Sequence, residues 1–73
     1  MSHIERMRIE LEELKEKIKK AEDFFNKELE KPKFTDEIQR HCLHIQLMYM
    51  RNYAGVLEAR IEYDEEKTKE QEE

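Results

Sequence analysis

Three sets of residues have types and spacings that bear on chemistry. His41, Cys42 and His44 lie together as HCLH. An i,i+3 histidine pair can share a metal on a helix face. A site needs three or four ligands, however, and no His, Cys or carboxylate recurs at a matching position nearby. The two histidines therefore read as surface or interface residues, and neither a metal nor any other cofactor is expected. Cys42 has no base–orienter pair beside it and sits in an apolar stripe, so it reads as a buried small residue and not as a nucleophile. His3 behind a free amino terminus can chelate copper or nickel, as any such terminus can.

The second set is the carboxylates of the first 30 residues and of the C-terminal end. General acid–base work needs a carboxylate in a pocket that shifts its pKa. These acids fall on charged helix faces and read as solvated. No phosphate loop, nucleophile elbow or Gly-rich turn is present. The expectation is a protein that is not an enzyme.

The third set interrupts an otherwise apolar stretch, residues 42–61: Gln46, Arg51, Asn52, Tyr53 and Arg60, with Tyr49 beside them. Gln46, Met50, Tyr53, Leu57 and Arg60 follow steps of 4, 3, 4 and 3, which places them on one face of a helix. Gln46 and Arg60 stand where a bundle seam prefers Leu or Ile. A buried polar group costs about 1–3 kcal/mol if unpaired, so each needs a partner. One reading pairs them across an oligomer, where they fix its register. The other has Arg51 and Arg60, with Tyr49 or Tyr53 as stacking surfaces, line an intersubunit pocket for a planar anion such as a nucleotide. Asn52 and Gln46 complete that candidate set.

The elements that position these residues follow from periodicity. Ser2 is placed to cap a helix, with Glu5 at the capping-box position. Ile4, Met7, Leu11, Leu14, Ile18, Ala21 and Phe25 then repeat in steps of 3 and 4, a heptad seam widened by Ile9, Phe24 and Leu29. Glu13–Lys17 and Glu16–Lys20 are i,i+4 pairs on the opposite face. Pro32 disfavours a helical Lys31 and ends this helix near Glu30 or Lys31. Thr35 is a good N-cap for the next helix, with Asp36 and Glu37 in its first turn. Phe34 is then at the position of a hydrophobic staple. The short connection favours an antiparallel hairpin.

The second helix carries two apolar stripes. Leu43, Leu47, Met50, Ala54, Leu57 and Ile61 form one; Ile38, Cys42, Ile45, Tyr49, Val56 and Tyr63 form the other, with Tyr53 between them. One helix covers one stripe, and a bare second stripe would itself drive association. Ala54, Gly55 and Ala59 would let another helix approach closely, which offsets the cost of about 1 kcal/mol of a glycine inside a helix. The expected architecture is all-α: an antiparallel two-helix hairpin, about residues 3–31 and 36–65. It assembles through its second helix into a homo-oligomeric bundle, at least a dimer. Residues 1–65 form the hairpin and 66–73 an acidic, frayed tail.

Composition agrees. At 73 residues the chain is one small domain with little core of its own. Charged residues make up 45%, with one Gly, one Pro and no Trp. The net charge is −5, and residues 64–73 alone carry six acids against two bases. The body is nearly neutral and shows no basic stripe, so general nucleic-acid binding is not expected. No window approaches a membrane span and no signal peptide is visible. A single cysteine excludes an internal disulfide and points to a reducing, cytoplasmic compartment.

The spacing Gln-x3-Met-x2-Tyr-x3-Leu-x2-Arg, here Gln46, Met50, Tyr53, Leu57 and Arg60 followed by Ile61, resembles a pattern in small helical-hairpin proteins of tailed bacteriophages, including those of a crAss-like phage. The resemblance covers about residues 5–63 and is most specific in the second helix. Tyr49 and Met48 around Met50, and the acidic tail, depart from it. It implies a phage-encoded protein acting in the cytoplasm of an infected bacterium. Some other very small helical phage proteins form oligomers that sequester cyclic-nucleotide signals of host defence, and by analogy of architecture this chain is expected to do likewise. The alternative is a coiled-coil adaptor or inhibitor that binds one host or phage protein.

Overall fold

The computed structural model describes the backbone of residues 2–72 and the side chains of residues 2–69. Two helices, α1 (His3–Glu30) and α2 (Glu37–Glu72), pack side by side as an antiparallel hairpin. The molecule is a rod of 56 × 18 × 14 Å.

Both ends of α1 follow their local chemistry. Ser2 is extended (φ −73°, ψ 161°), and its hydroxyl accepts the Glu5 N–H at 3.2 Å. Lys31, forced out of the helical region by Pro32, is extended at φ −146°, ψ 92° and closes the helix with its own N–H on the Lys27 carbonyl at 2.9 Å. The start of α2 differs from expectation. Asp36, not Thr35, is the N-cap: its Oδ1 accepts the Gln39 N–H at 2.7 Å, and the Gln39 Oε1 accepts the Asp36 N–H at 2.8 Å. This reciprocal box satisfies two donors that the first turn otherwise leaves unpaired. Phe34 consequently stands one residue too early to staple the helix, and it is exposed.

At the other end, α2 runs to Glu72, past the Glu65 boundary expected from sequence. Nothing between Glu66 and Glu72 breaks a helix, and Lys, Glu and Gln are good helix formers. Lys67 lies 5.9 Å from the Tyr63 ring, and the Thr68 hydroxyl donates to the Asp64 carbonyl at 2.9 Å. Of the expected tail, Glu73 lies outside the described residues.

The seam between the helices joins the heptad of α1 to the first stripe of α2. Met7, Leu14, Leu47, Ala54, Leu57 and Ile61 are buried, with Ile4 and Leu11 packed against the cluster of Met7, Leu57 and Ile61. That is a small core for a chain of this length, as the size argument requires.

The seam of α1 does not end at Phe25. Its next position is Glu28, only 3% exposed. The Glu28 carboxylate faces the turn and gathers it. Oε1 accepts the Phe34 N–H at 2.8 Å, the Thr35 N–H at 2.9 Å and the Thr35 hydroxyl at 2.8 Å, and both oxygens lie 3.2 Å from the Lys33 N. Thr35 is also tied to α2: its carbonyl accepts from Arg40 Nη1 at 2.6 Å. Burial alone would raise the Glu28 pKa. The donated bonds from Phe34, the Thr35 hydroxyl, and the Lys33 and Thr35 N–H groups outweigh it and hold the pKa below its ordinary 4.5.

Two outcomes follow. Leu57→Ala, emptying the centre of a thin core, is expected to cost about 2–5 kcal/mol in denaturant unfolding. Glu28 binds protons less readily folded than unfolded, so its contribution is complete above pH 4.5 and is lost as pH falls through the lowered folded value. Glu28→Gln should therefore lower the Tm at neutral pH, and the gap to the parent should narrow on acidification; a constant gap would show that the carboxylate charge is not what closes the turn.

Candidate functional site

The six candidate residues fall on three different sides of α2. Arg51 stands on one flank of the hairpin seam, Gln46, Tyr53 and Arg60 on the other, and Tyr49 and Asn52 on the face pointing away from α1. All six are exposed. Gln46 and Arg60 lie beside the seam and not within it, so in the hairpin neither needs a buried partner.

Two of the candidates are engaged with α1. Arg51 donates through Nε and Nη2 to Glu22 Oε1, at 3.1 and 2.7 Å. This pair is one rung of a heptad-spaced ladder along that flank, with Arg8–Glu65 and Lys15–Glu58 (3.4 Å) as the others. The antiparallel arrangement sets the rungs, because each step of seven along α1 meets a step of seven backwards along α2. Further along, His44 stacks on Phe25 with ring centroids 5.7 Å apart. On the other flank the Tyr53 hydroxyl donates to the Glu10 carboxylate.

Arg60 is placed differently. Among the described residues it forms no ion pair and no side-chain hydrogen bond. It borders an open depression of ≈ 510 Å³ with Val56, Ala59, Tyr63 and Asp64. These residues follow the i, i+3, i+4, i+7, i+8 spacing of a single helix face, so the depression has a floor and no opposite wall. Its one acid, Asp64, is occupied: Oδ2 lies 3.0 Å from His3 Nε2. Arg60 therefore shares an otherwise apolar and aromatic depression with a single carboxylate, and that carboxylate is in contact with His3 of α1.

The depression opens onto the second stripe of α2, which the hairpin leaves bare. Ile38 is 75% exposed, Tyr49 71% and Tyr63 67%, and Ile45 and Val56 are exposed with them. Cys42 belongs to this stripe and is exposed, so α1 does not bury it. Asn52 and Ala59 complete the series: residues 38, 42, 45, 49, 52, 56, 59 and 63 alternate steps of 4 and 3 without a break. A Cβ at Gly55 would meet nothing within 4 Å, so the hairpin gives this glycine no packing role. Among the described residues, no group of three or more His, Cys, Asp or Glu side chains could hold a metal ion, and no helix is long and apolar enough to cross a membrane.

These features define a class: a small helical hairpin whose second helix presents a continuous unpartnered apolar face bordered by an arginine-lined depression. The model of the Sequestin family matches residues 1–63, and the chain belongs to that family. Nothing matches it among curated proteins or among solved structures.

The ladder leads to an expectation for Arg51. Its pair with Glu22 is half solvated, with side chains 50% and 37% exposed. A double-mutant cycle of Arg51→Ala and Glu22→Ala should give a coupling of about 0.2–1 kcal/mol. A coupling near zero would show the rung to be incidental and the guanidinium available to a ligand.

Proposed function

We propose that this protein binds and sequesters a small anionic ligand without transforming it, and that a planar phosphorylated molecule such as a nucleotide signal suits the site best. The observation that carries the reading is Arg60. It is a guanidinium with no carboxylate partner among the described residues, set over Val56, Ala59 and Tyr63. A guanidinium offers a planar fork of donors to a phosphate, and Tyr63 offers a ring on which a base can stack. The family name is consistent with a sequestering role. The absence of a second wall in the hairpin supports a pocket shared between subunits of a homo-oligomer built through α2. The resemblance to small phage proteins makes a counter-defence role in an infected bacterial cytoplasm the natural setting.

Tyr63, which the depression shares with Arg60, takes the place of Tyr49 in the proposed site. Arg51 and Tyr53 are held by α1 carboxylates and support the hairpin.

The bare stripe also favours a second reading, an adaptor or inhibitor that covers Ile38, Ile45, Tyr49 and Val56 with another protein. Native mass spectrometry of protein purified from bacterial cells, followed by calorimetric titration with a panel of mono-, di- and cyclic nucleotides, separates the two. Under the ligand reading, Arg60→Ala weakens nucleotide binding at least tenfold and leaves subunit number unchanged. No heat from any nucleotide, with a stoichiometric protein recovered on the same chain, would establish the adaptor reading instead.

A further inference from the structure

We infer that the bare stripe of α2 is the dimer seam of this protein, and that two copies pair along it antiparallel about a two-fold axis between Tyr49 and Asn52. This deepens the shared-pocket reading above and rests on it for the role of the pocket, though not for the pairing itself.

The stripe is self-complementary. The stripe runs from Ile38 to Tyr63, about 39 Å of helix. An antiparallel pairing centred between Tyr49 and Asn52 sets each seam residue against one whose number brings the sum to 101. Ile38 then meets Tyr63 of the second copy, Cys42 meets Ala59, Ile45 meets Val56, and Tyr49 meets Asn52. The two central polar groups, a phenol and an amide, face each other and can hydrogen-bond, as a single polar layer does when it fixes register. The flanks agree. His41 falls beside Glu62 of the second copy, Gln39 beside Arg60, and Gln46 beside Tyr53. No like charges meet. Met48, half exposed in the hairpin, falls against Gly55, where a Cβ meets only open space. A long flexible side chain over a glycine is a close helix crossing, and it gives Gly55 the packing role that the hairpin does not.

A parallel pairing fits less well. It stacks Tyr49 on Tyr49 and Tyr63 on Tyr63 while setting Ala59 on Ala59 between them, so thick and thin layers alternate along one seam. It also leaves Gly55 beside Arg60. The antiparallel register instead puts its thinnest layer, Cys42 with Ala59, directly beside the Arg60 depression. Ile38, Gln39 and Cys42 of the second copy become the missing wall, and the two-fold axis creates the site twice.

The register is tested by disulfide mapping without any nucleotide present. In mild oxidant, Ala59→Cys should give a covalent dimer through native Cys42, and peptide mapping should show that linkage. The wild type and the double variant Cys42→Ser/Ala59→Cys should both remain uncross-linked. A covalent dimer of either would overturn the antiparallel register in favour of a parallel one. A monomer by light scattering at the concentrations used would overturn the dimer. Gly55→Leu, with its helical circular dichroism retained, should weaken self-association at least tenfold; unchanged association would place the interface elsewhere. Since no ligand enters these measurements, a cross-linked dimer that binds no nucleotide would sink the sequestration reading and leave the seam standing.

Discussion

An α-helix with its side chains is about 10–12 Å across, and one neighbouring helix covers only part of that circumference. α2 is apolar on two sides, and the chain supplies one neighbour. Every distinctive feature of this molecule follows from that mismatch. α1 takes the stripe with the larger aliphatic residues, Leu43, Leu47, Leu57 and Ile61. The stripe with Ile38, Ile45, two tyrosines, Cys42 and Asn52 is left in water. The difference in composition is informative. Tyrosine and asparagine tolerate exposure before assembly and still fill a seam after it, which suits a surface that is wet in one state and dry in another.

The hairpin can spare a whole helix face only because its turn is closed by other means. A buried apolar staple at the turn would need Phe34, which is exposed. The closure is polar instead. Glu28, the last position of the α1 seam, collects the donors of residues 33–35, and the Asp36–Gln39 box takes up where it stops. Together they satisfy the backbone of a turn that has no room for a core. A carboxylate that accepts several hydrogen bonds stays charged at small cost, which is why an acid can occupy a seam position there.

Much of this was legible in the sequence because it depends on periodicity. The steps of 3 and 4 in Ile4–Phe25 and the two stripes of α2 specify which residues face each other, and Pro32 specifies where the chain reverses. What periodicity does not carry was missed. Glu28 continues the α1 series by one more step, and that spacing was the available signal; an acid at the end of an apolar run simply reads as the end of the run. Thr35 and Asp36 are equally good caps by residue type, and the deciding feature is Gln39, three residues after Asp36. The partners of Arg51 and Tyr53 lie 29 and 43 residues away on the other helix, so only the interhelical register reveals them. Arg51 and Arg60 are nine residues apart on one helix, half a turn out of phase, so their spacing already sets them on opposite sides of α2.

The charge distribution bears on what such a site can do. The chain carries −5, concentrated after Tyr63, so its far field opposes an approaching anion. At physiological ionic strength that field decays over about 8 Å, and contact with a guanidinium is little affected by it. Arg60 sits at the boundary between the apolar stripe and the acidic end of α2, where Asp64 is drawn aside by His3 and Glu65 by Arg8. The contacts of His3 with Asp64 and of Arg8 with Glu65 therefore also engage two acids near Arg60, which, like Arg6, has no side-chain partner among the described residues. An anion held there gains from short-range donors and from an aromatic surface and nothing from long-range attraction. Under the proposed sequestration, that combination would favour ligands with a ring as well as a phosphate over inorganic anions and over nucleic acid, whose binding depends on extended positive potential.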